Sequence, residues 1–597
     1  MATSRIQLGA YVIIGIFLLL CLRLWQLQVL DGDSYKRLSE ENRLRIVRTP
    51  APRGIIYDRF GTPLVENIPT FSVSLSPDTL TGINTEALSS LLGIDKKNLE
   101  EIIDRTDNSP FVPIKLKQGI SADQVARIEA HRSDFPGLFV ETEVGRQYPF
   151  GKVGAHIIGY LGRITTAQLN NPGLKNFPPD MLIGQWGVEA LFDDQLRGLP
   201  GERIIEIDAL GRELRMIQQR QAVKGKDIEL SIDIGIQKAV DDAFGSKAGA
   251  FVAVEPASGE ILALESLPSF DPNIFTRGLT SLEWQTLVED KKKPMLNRAL
   301  QSQYPPGSTF KIITAIAALQ EGVISPDTKI FCKGGITYGK WNFGCWRKGG
   351  HGLVDFHKAV VESCDVYFYE LGKRLGIEKI YSYATALGLG KETGIKLVKE
   401  KKGLIPNALW KRENRGLPWY LGDTFISAIG QGFVSATPIQ MAMMTATISN
   451  GGHIYTPSLI KNTRFPSGNI DFKPETIKLL KEALFGVVNE PDGTAKGAHS
   501  SLITVAGKTG TAQVAGKRKG VVTEKLMDHA WFVSFAPVYN PEIAVAVFVE
   551  HGGGGGAVAA PIAKKAIEAY VVDQKSHIAK REPKDKPRGL TSPRTAQ

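Results

Sequence analysis

Tyr304-Pro305-Pro306-Gly307-Ser308-Thr309-Phe310-Lys311 runs directly into Ile312-Ile313-Thr314-Ala315-Ile316-Ala317-Ala318-Leu319. Proline and glycine followed by serine mark a helix start. The helix that follows is apolar nearly all round, so it belongs inside a core. Lys311 stands three residues after Ser308, one turn on along the same face. A lysine in such a helix loses hydration, which lowers its pKa and fits it to take a proton from a serine hydroxyl. The amide N–H groups of the helix start suit a developing oxyanion. Taken alone, Ser-x-x-Lys fits an ordinary N-cap serine and a solvated lysine better.

Two further stretches change that balance. Val505-Ala506-Gly507-Lys508-Thr509-Gly510-Thr511-Ala512 reads as an edge strand. It would present the Lys508 ammonium and the Thr509 and Thr511 hydroxyls along one side of a cleft. Gly510 would let a substrate backbone approach closely. Between the two lies Glu362-Ser363-Cys364-Asp365 at a helix–loop position, where Ser363 and Asp365 are suited to relay a proton and orient Lys311. Outside these motifs, Gly249–Glu255 and Glu260–Leu264 read as one hairpin. Ala530–Phe535 and Ile543–Val549 read as another, around Tyr539-Asn540-Pro541. Helical segments fill the middle, so the expected fold is α+β, a mostly antiparallel sheet with helices.

Further out, the chain of 597 residues is long enough for several domains. Ile6–Leu22 is uncharged and apolar, just long enough to cross a hydrocarbon core. The bulky run Leu18-Leu19-Leu20-Cys21-Leu22-Arg23 lacks a small-residue cleavage site, so an uncleaved single span is expected, with Arg23 snorkelling and Trp25 at the headgroups. Residues 31–48 read as a charged, partly helical connector. Up to about residue 225 the chain mixes short strands (Thr70–Leu75, and Arg203–Ile217 around a turn) with helical spacing over Ser121–His131. No catalytic pattern occurs there, which suits a non-catalytic pedestal. The expected division is 1–30 membrane anchor, 31–225 pedestal with its connector, 226–573 catalytic domain and 574–597 basic disordered tail. That tail carries seven of the Lys and Arg residues against Glu582 and Asp585, hence half of the net charge of +10. Nucleic-acid binding is therefore not implied, and no zinc-finger or RNA-recognition signature supports it. Gly552–Gly556 reads as a tight, mobile loop.

Ser-x-x-Lys, Ser-x-Asp and Lys-Thr-Gly in this order resemble the three motifs of penicillin-binding proteins and serine β-lactamases. The likeness is to the class B penicillin-binding proteins, and among them to the elongation-specific branch. It extends through Arg53–Arg59, Gly187-Val188-Glu189-Ala190 with Leu196-Arg197-Gly198, Gly430-Gln431-Gly432 with Thr437-Pro438, and Glu550-His551 with the five glycines. Asp365 replaces the commoner Asn of the second motif. The resemblance implies a penicillin-binding transpeptidase domain on an elongated pedestal, and serine D-Ala-D-Ala transpeptidase or carboxypeptidase chemistry on peptidoglycan. It implies Ser308 as nucleophile, Lys311 as base, and Ser363 and Asp365 as proton relay and orienting group. Lys508, Thr509, Gly510 and Thr511 would bind the substrate carboxylate, with the N–H groups of Ser308 and Thr511 as oxyanion hole. It further implies acylation by β-lactams, a partner membrane glycosyltransferase, and a catalytic domain on the periplasmic side of the inner membrane. No cofactor is needed for the chemistry.

Cys332, Cys345, His351 and Cys364 are spaced C-x12-C-x5-H-x12-C. Three thiols and an imidazole suit a tetrahedral structural zinc. A Cys332–Cys345 disulfide, allowed in the periplasm, is the alternative. The resemblance favours zinc. Competing functions keep the fold but need other parts. A β-lactam sensor would need further membrane spans, and a β-lactamase a deacylating base and a free-standing domain. A division-specific transpeptidase and a scaffold that activates a polymerase are the nearer alternatives.

Overall fold

The computed structural model describes residues 2–36, 44–80, 82–104, 113–165, 168, 181–208, 213–514 and 527–581. The chain forms two compact units, and neither is one continuous stretch. One comprises Met1–Gly54, Pro69–Val144 and Asp194–Lys226; the other comprises Ile55–Ile68, Gly145–Asp193 and Asp227–Gln597.

The first unit opens with a helix, Ala2–Trp25, that continues as a wider turn over Gln26–Leu30. Its apolar stretch Gln7–Leu30 spans 24 residues, none of them buried against protein. At 1.5 Å per residue this is about 36 Å, ample for a single membrane crossing. Arg23 interrupts the run, and its guanidinium is met by Gln26 Oε1 at 2.8 Å. The connector is partly helical, as expected, and also contains a strand. A short helical stretch over 32–36 is followed by a strand, Leu44–Thr49, that pairs antiparallel with Gly201–Ile207. Gly201–Ile207 pairs in turn with Glu213–Arg220. The Leu44–Thr49 strand is not legible locally, because charged residues such as Arg45 and Arg48 hide strand character and its partner lies far along the chain. The expected helix near Ser121–His131 is present as Ala122–Ala130, held by a capping box between Ser121 and Gln124. Val73, Leu75, Leu88, Leu92, Leu99, Ile114 and Ile128 form this unit's own core.

The second unit is built on a five-stranded antiparallel sheet. Its strands are β1 (Gly249–Val254), β2 (Ile261–Leu267), β3 (Ala506–Ala512), β4 (His529–Ala536) and β5 (Ile543–Val549). The order is β2-β1-β5-β4-β3, which leaves β3 at an edge. Helices flank the sheet: α1 (Ile234–Phe244), α2 (Lys311–Gln320), α3 (Asp365–Leu375), α4 (Pro438–Ser449), α5 (Pro474–Asn489) and α6 (Gly555–Arg581). α4 lies on β1, β4 and β5, and α5 on β3; α1 and α6 pack together and cover the sheet as well. Covered by helices, the strands are buried almost throughout, with only Thr511 and His529 partly exposed. That is why β5 reads as a continuous apolar run rather than an alternation. α4 is also buried all along its length, and Thr437, Pro438 and Gln440 start it as capping box and first-turn proline.

Two expectations about the C-terminal part need correction. The glycine run is a loop only over residues 552–554. Gly555 and Gly556 begin α6, and a Cβ on Gly555 would lie 2.2 Å from the Trp531 carbonyl oxygen. These glycines are small so that a helix can start against two strands. The helix then continues to Arg581, so residues 574–581 are helical rather than disordered, and His577 stacks on Phe60 at 3.8 Å. The remainder of the expected tail, 582–597, lies outside the described residues.

Gly187–Glu189 of the quoted motif carries a buried ion pair. Arg146 Nε donates to Glu189 Oε1 at 2.8 Å, with side-chain exposures of 2% and 0%. Arg146 also reaches Asn67 Oδ1 at 3.0 Å. Removing one partner strands a buried charge. Glu189→Ala is therefore expected to cost about 3–5 kcal/mol, read as a lowered denaturation midpoint. A midpoint within error of the parent protein's would contradict this.

Candidate active site

Ser308 lies in a tight turn, Gly307–Phe310, that leads into α2. It is not an N-cap: Pro306 holds that position for the turn and Phe310 for α2. Gly307 has φ +55°, and a Cβ there would lie 2.6 Å from the Thr511 carbonyl oxygen. Only glycine lets the Ser308 turn press so closely on β3. Its N–H donates to the Gly430 carbonyl at 2.9 Å, and the Trp531 indole donates to the Pro305 carbonyl at 3.0 Å. The turn is thus pinned from both sides, with Ser308 itself partly exposed.

Lys311 is the first residue of α2 and is 1% exposed. Its Nζ donates to Asp365 Oδ1 at 2.6 Å, to the Ser363 carbonyl at 2.9 Å and to Ser363 Oγ at 3.2 Å. Desolvation was the expected influence on this lysine; the structure answers it with an ion pair and two hydrogen bonds. Ser363 adopts φ +55°, unusual for a residue with a side chain. Cys364 is the N-cap of α3 and Asp365 its first residue, where a carboxylate is favoured by the helix dipole. The first and second motifs therefore meet at one ammonium.

The third motif meets them in part. Lys508 is fully buried, with Lys311 and Asp365 close enough to act on its charge. Strand pleating sends its neighbour the other way. Thr509 hydrogen-bonds Thr494 Oγ1 at 2.9 Å and lies near Gly556, so the two motif side chains do not line one side of a cleft. Gly510 is tightly packed on one face: a Cβ there would lie 2.7 Å from the Pro306 carbonyl oxygen. Thr511 is partly exposed, and its carbonyl accepts from Gln431 Nε2 at 2.9 Å.

Behind Asp365, Cys332, Cys345, His351 and Cys364 converge, with all their ligand atoms within 4.8 Å of one another. The cysteines are free thiols, so the Cys332–Cys345 disulfide is not formed. His351 Nδ1 lies 3.4 Å from Cys345 Sγ and 3.6 Å from Cys332 Sγ, and its Nε2 faces Glu362 Oε2 at 3.9 Å. A hydrogen bond with Cys364 pushes the Cys345 thiol down to about 5 and the Cys364 thiol up.

Sequence reasoning missed several neighbours. Trp346 contacts Asp365 and Ser363; its only signal was its place beside Cys345. Tyr304, at the head of the nucleophile motif, donates to Glu550 Oε1 at 2.6 Å, which also pairs with Arg298 at 3.0 Å. Burial, and then His551, push His529 down to about 4, which leaves it neutral near pH 7.

A serine and a lysine on one helix start, a Ser-x-Asp turn gripping that lysine, and a Lys-Thr-Gly edge strand are the parts of a serine acyl-transfer site. The penicillin-binding protein transpeptidase domain family matches residues 249–568, and the penicillin-binding protein dimerisation domain family matches 48–230. The chain belongs to the penicillin-binding proteins. It is 36% identical to the peptidoglycan D,D-transpeptidase MrdA of Acinetobacter baumannii, over 96% of this chain and 88% of that protein. The structure of penicillin-binding protein 2 in complex with MreC from Helicobacter pylori superposes with a TM-score of 0.76. That match has 30% identity and covers 89% of this chain and 99% of that one. A further match, described as a peptidoglycan synthase complex that coordinates polymerization and crosslinking, has a TM-score of 0.71 and 33% identity. It covers 96% of this chain and 99% of that one. This penicillin-binding protein is a serine peptidoglycan D,D-transpeptidase with one N-terminal helix suited to a membrane anchor.

Burial, then the charge of Lys311, pushes the Lys508 ammonium well below its ordinary 10.5, with Asp365 opposing. Between the folded value and 10.5 the unfolded chain binds more protons than the folded one. Stability from this site therefore rises with pH across that window. Lys508→Met is expected to raise the thermal midpoint at neutral pH by about 2–4 °C, roughly 1 kcal/mol. A lowered midpoint would show that the buried ammonium is stabilising.

Proposed function

We propose that Ser308 attacks the penultimate D-Ala carbonyl of a peptidoglycan stem peptide during cell elongation. The Ser308 Oγ–C bond forms, the C–N bond breaks, and terminal D-Ala leaves as a free amine. Lys311 passes one proton to Asp365 Oδ1, 2.6 Å away, and as the neutral amine takes the Ser308 proton; Ser363, 3.2 Å from Lys311 Nζ, passes a proton to the departing nitrogen. The amine of a second stem peptide then attacks the acyl carbon; the cross-linking C–N bond forms, the Ser308 Oγ–C bond breaks, and the amine's proton goes to Ser308 Oγ. Attack by water instead gives carboxypeptidase chemistry. The N–H groups of Ser308 and Thr511 hold the oxyanion. Lys508 attracts the terminal carboxylate of the substrate, with Thr509, Gly510 and Thr511 of the same edge strand completing its binding site. The observation that carries this reading is the buried Lys311 ammonium held by Asp365 and Ser363.

The Cys/His cluster suits a structural zinc. A tetrahedral site with Zn–S bonds of about 2.3 Å has sulfur atoms about 3.8 Å apart, so a small contraction of the four residues suffices. Glu362 beside His351 Nε2 supplies the carboxylate that commonly orients a ligating imidazole. Bound there, the ion cross-links the segments carrying Cys332, Cys345, His351 and Cys364 and steadies Ser363 and Asp365; it takes no part in the chemistry. The first unit serves as a pedestal, the N-terminal helix as the anchor, and the catalytic unit works in the periplasm. A membrane glycosyltransferase and a scaffold resembling MreC are the proposed partners, in line with the complexes described for structural relatives.

Ser308→Ala is expected to abolish covalent labelling by a fluorescent penicillin, detected in a gel; undiminished labelling would remove Ser308 as nucleophile. Purified protein is expected to hold about one zinc per chain by elemental analysis, and Cys345→Ser to lose it. Metal-free parent protein that acylates normally would refute the zinc.

A further inference from the structure

Trp346 belongs to none of the three motifs and is no metal ligand, yet it touches two of the residues proposed for catalysis. Its backbone N–H donates to Asp365 Oδ2 at 2.9 Å. Its indole Nε1–H is shared between the carbonyls of Glu362, at 3.0 Å, and Ser363, at 3.1 Å. The Ser363 carbonyl also receives Lys311 Nζ at 2.9 Å. One oxygen with two lone pairs thus takes an ammonium and an indole together.

Two features make this more than incidental packing. Ser363 has φ +55°, a conformation that a serine keeps only where its surroundings hold it. Asp365 has each carboxylate oxygen assigned, Oδ1 to Lys311 and Oδ2 to the Trp346 N–H. The Trp346 side chain is meanwhile 59% exposed, so apolar burial does not account for where it sits. Its ring edge meets His351 at 5.4 Å between centroids, and Arg347, next in the chain, pairs with Glu362 at 2.8 Å. The segment is therefore held on both sides of the indole.

We propose that Trp346 is a positioning residue for acyl transfer. Its indole N–H holds the Ser363 carbonyl, and with it the left-handed turn that presents the Ser363 hydroxyl to Lys311. This rests on the assignment of Ser308, Lys311 and Ser363 above. Losing the indole donor slows the acylation step without weakening the encounter that precedes it, because the ring's bulk remains in Trp346→Phe.

The test uses the full-length protein in detergent and a chromogenic β-lactam, with first-order acylation and noncovalent dissociation constants measured separately. Trp346→Phe is expected to lower the acylation constant about tenfold, the equivalent of one net hydrogen bond, and to leave the dissociation constant within twofold. Unchanged acylation, or a loss confined to the dissociation constant, overturns the proposal, since the latter marks a substrate-contacting ring. Selective 15N-tryptophan labelling adds a readout on the parent protein that does not depend on the variant folding. The Trp346 indole N–H should exchange slowly although its ring is largely exposed, and exchange as fast as a free indole's would overturn the proposal. Ser308→Ala is run in parallel. If it still labels, the nucleophile assignment fails; if it does not and Trp346→Phe acylates normally, the positioning role alone fails.

Discussion

The Lys311 ammonium is the constraint around which the catalytic unit is arranged. A charge that is 1% exposed is costly unless it is paired and hydrogen-bonded, and here Asp365 and two atoms of Ser363 do so. That requirement ties the start of α2 to the start of α3. It also obliges Ser363 to adopt an unfavourable backbone conformation, which the neighbouring Trp346 and Cys364 segments hold in place. Lys508 adds a second buried ammonium nearby, and its pKa is depressed by burial first and by the charge of Lys311 second.

Close backbone approach is the second requirement. The Ser308 turn must lie against the edge strand, and the residues at that contact are Gly307 and Gly510. The start of α6 must lie against β3, β4 and the loop at Thr494, and there the residues are Gly555 and Gly556. Side chains at these positions would force the nucleophile turn, β3 and α6 apart. The glycines of Lys-Thr-Gly and of the five-glycine run thus serve the protein's own packing.

Much of this was legible in the sequence. The continuous apolar runs of β1 and β5, the apolar helix after Lys311 and the anchor over Ile6–Leu22 are local hydrophobic patterns, and local patterns survive without a fold. The three motifs could be read in order because their residue types are rare in combination. The strand Leu44–Thr49 was missed because its partner, Gly201–Ile207, is remote in sequence. The helical extension to Arg581 was hidden by basic composition. The contact of Thr509 with Thr494 was not legible, because a motif names residues without saying where the pleat turns them.

The sequence by itself determined which chemical groups the protein owns: a serine, two lysines, a carboxylate, three thiols and an imidazole, carried on elements whose hydrophobicity dictates burial. Tertiary structure alone decided which of them share an environment. It brought Lys311, Ser363 and Asp365 within hydrogen-bonding distance, gathered Cys332, Cys345, His351 and Cys364 into one cluster, and gave Trp346 a place beside both. The physical reason is that periodicity is a short-range property of the chain. Electrostatic pairing and coordination depend on distances of a few ångströms between residues far apart in sequence, and only the packed fold sets those distances.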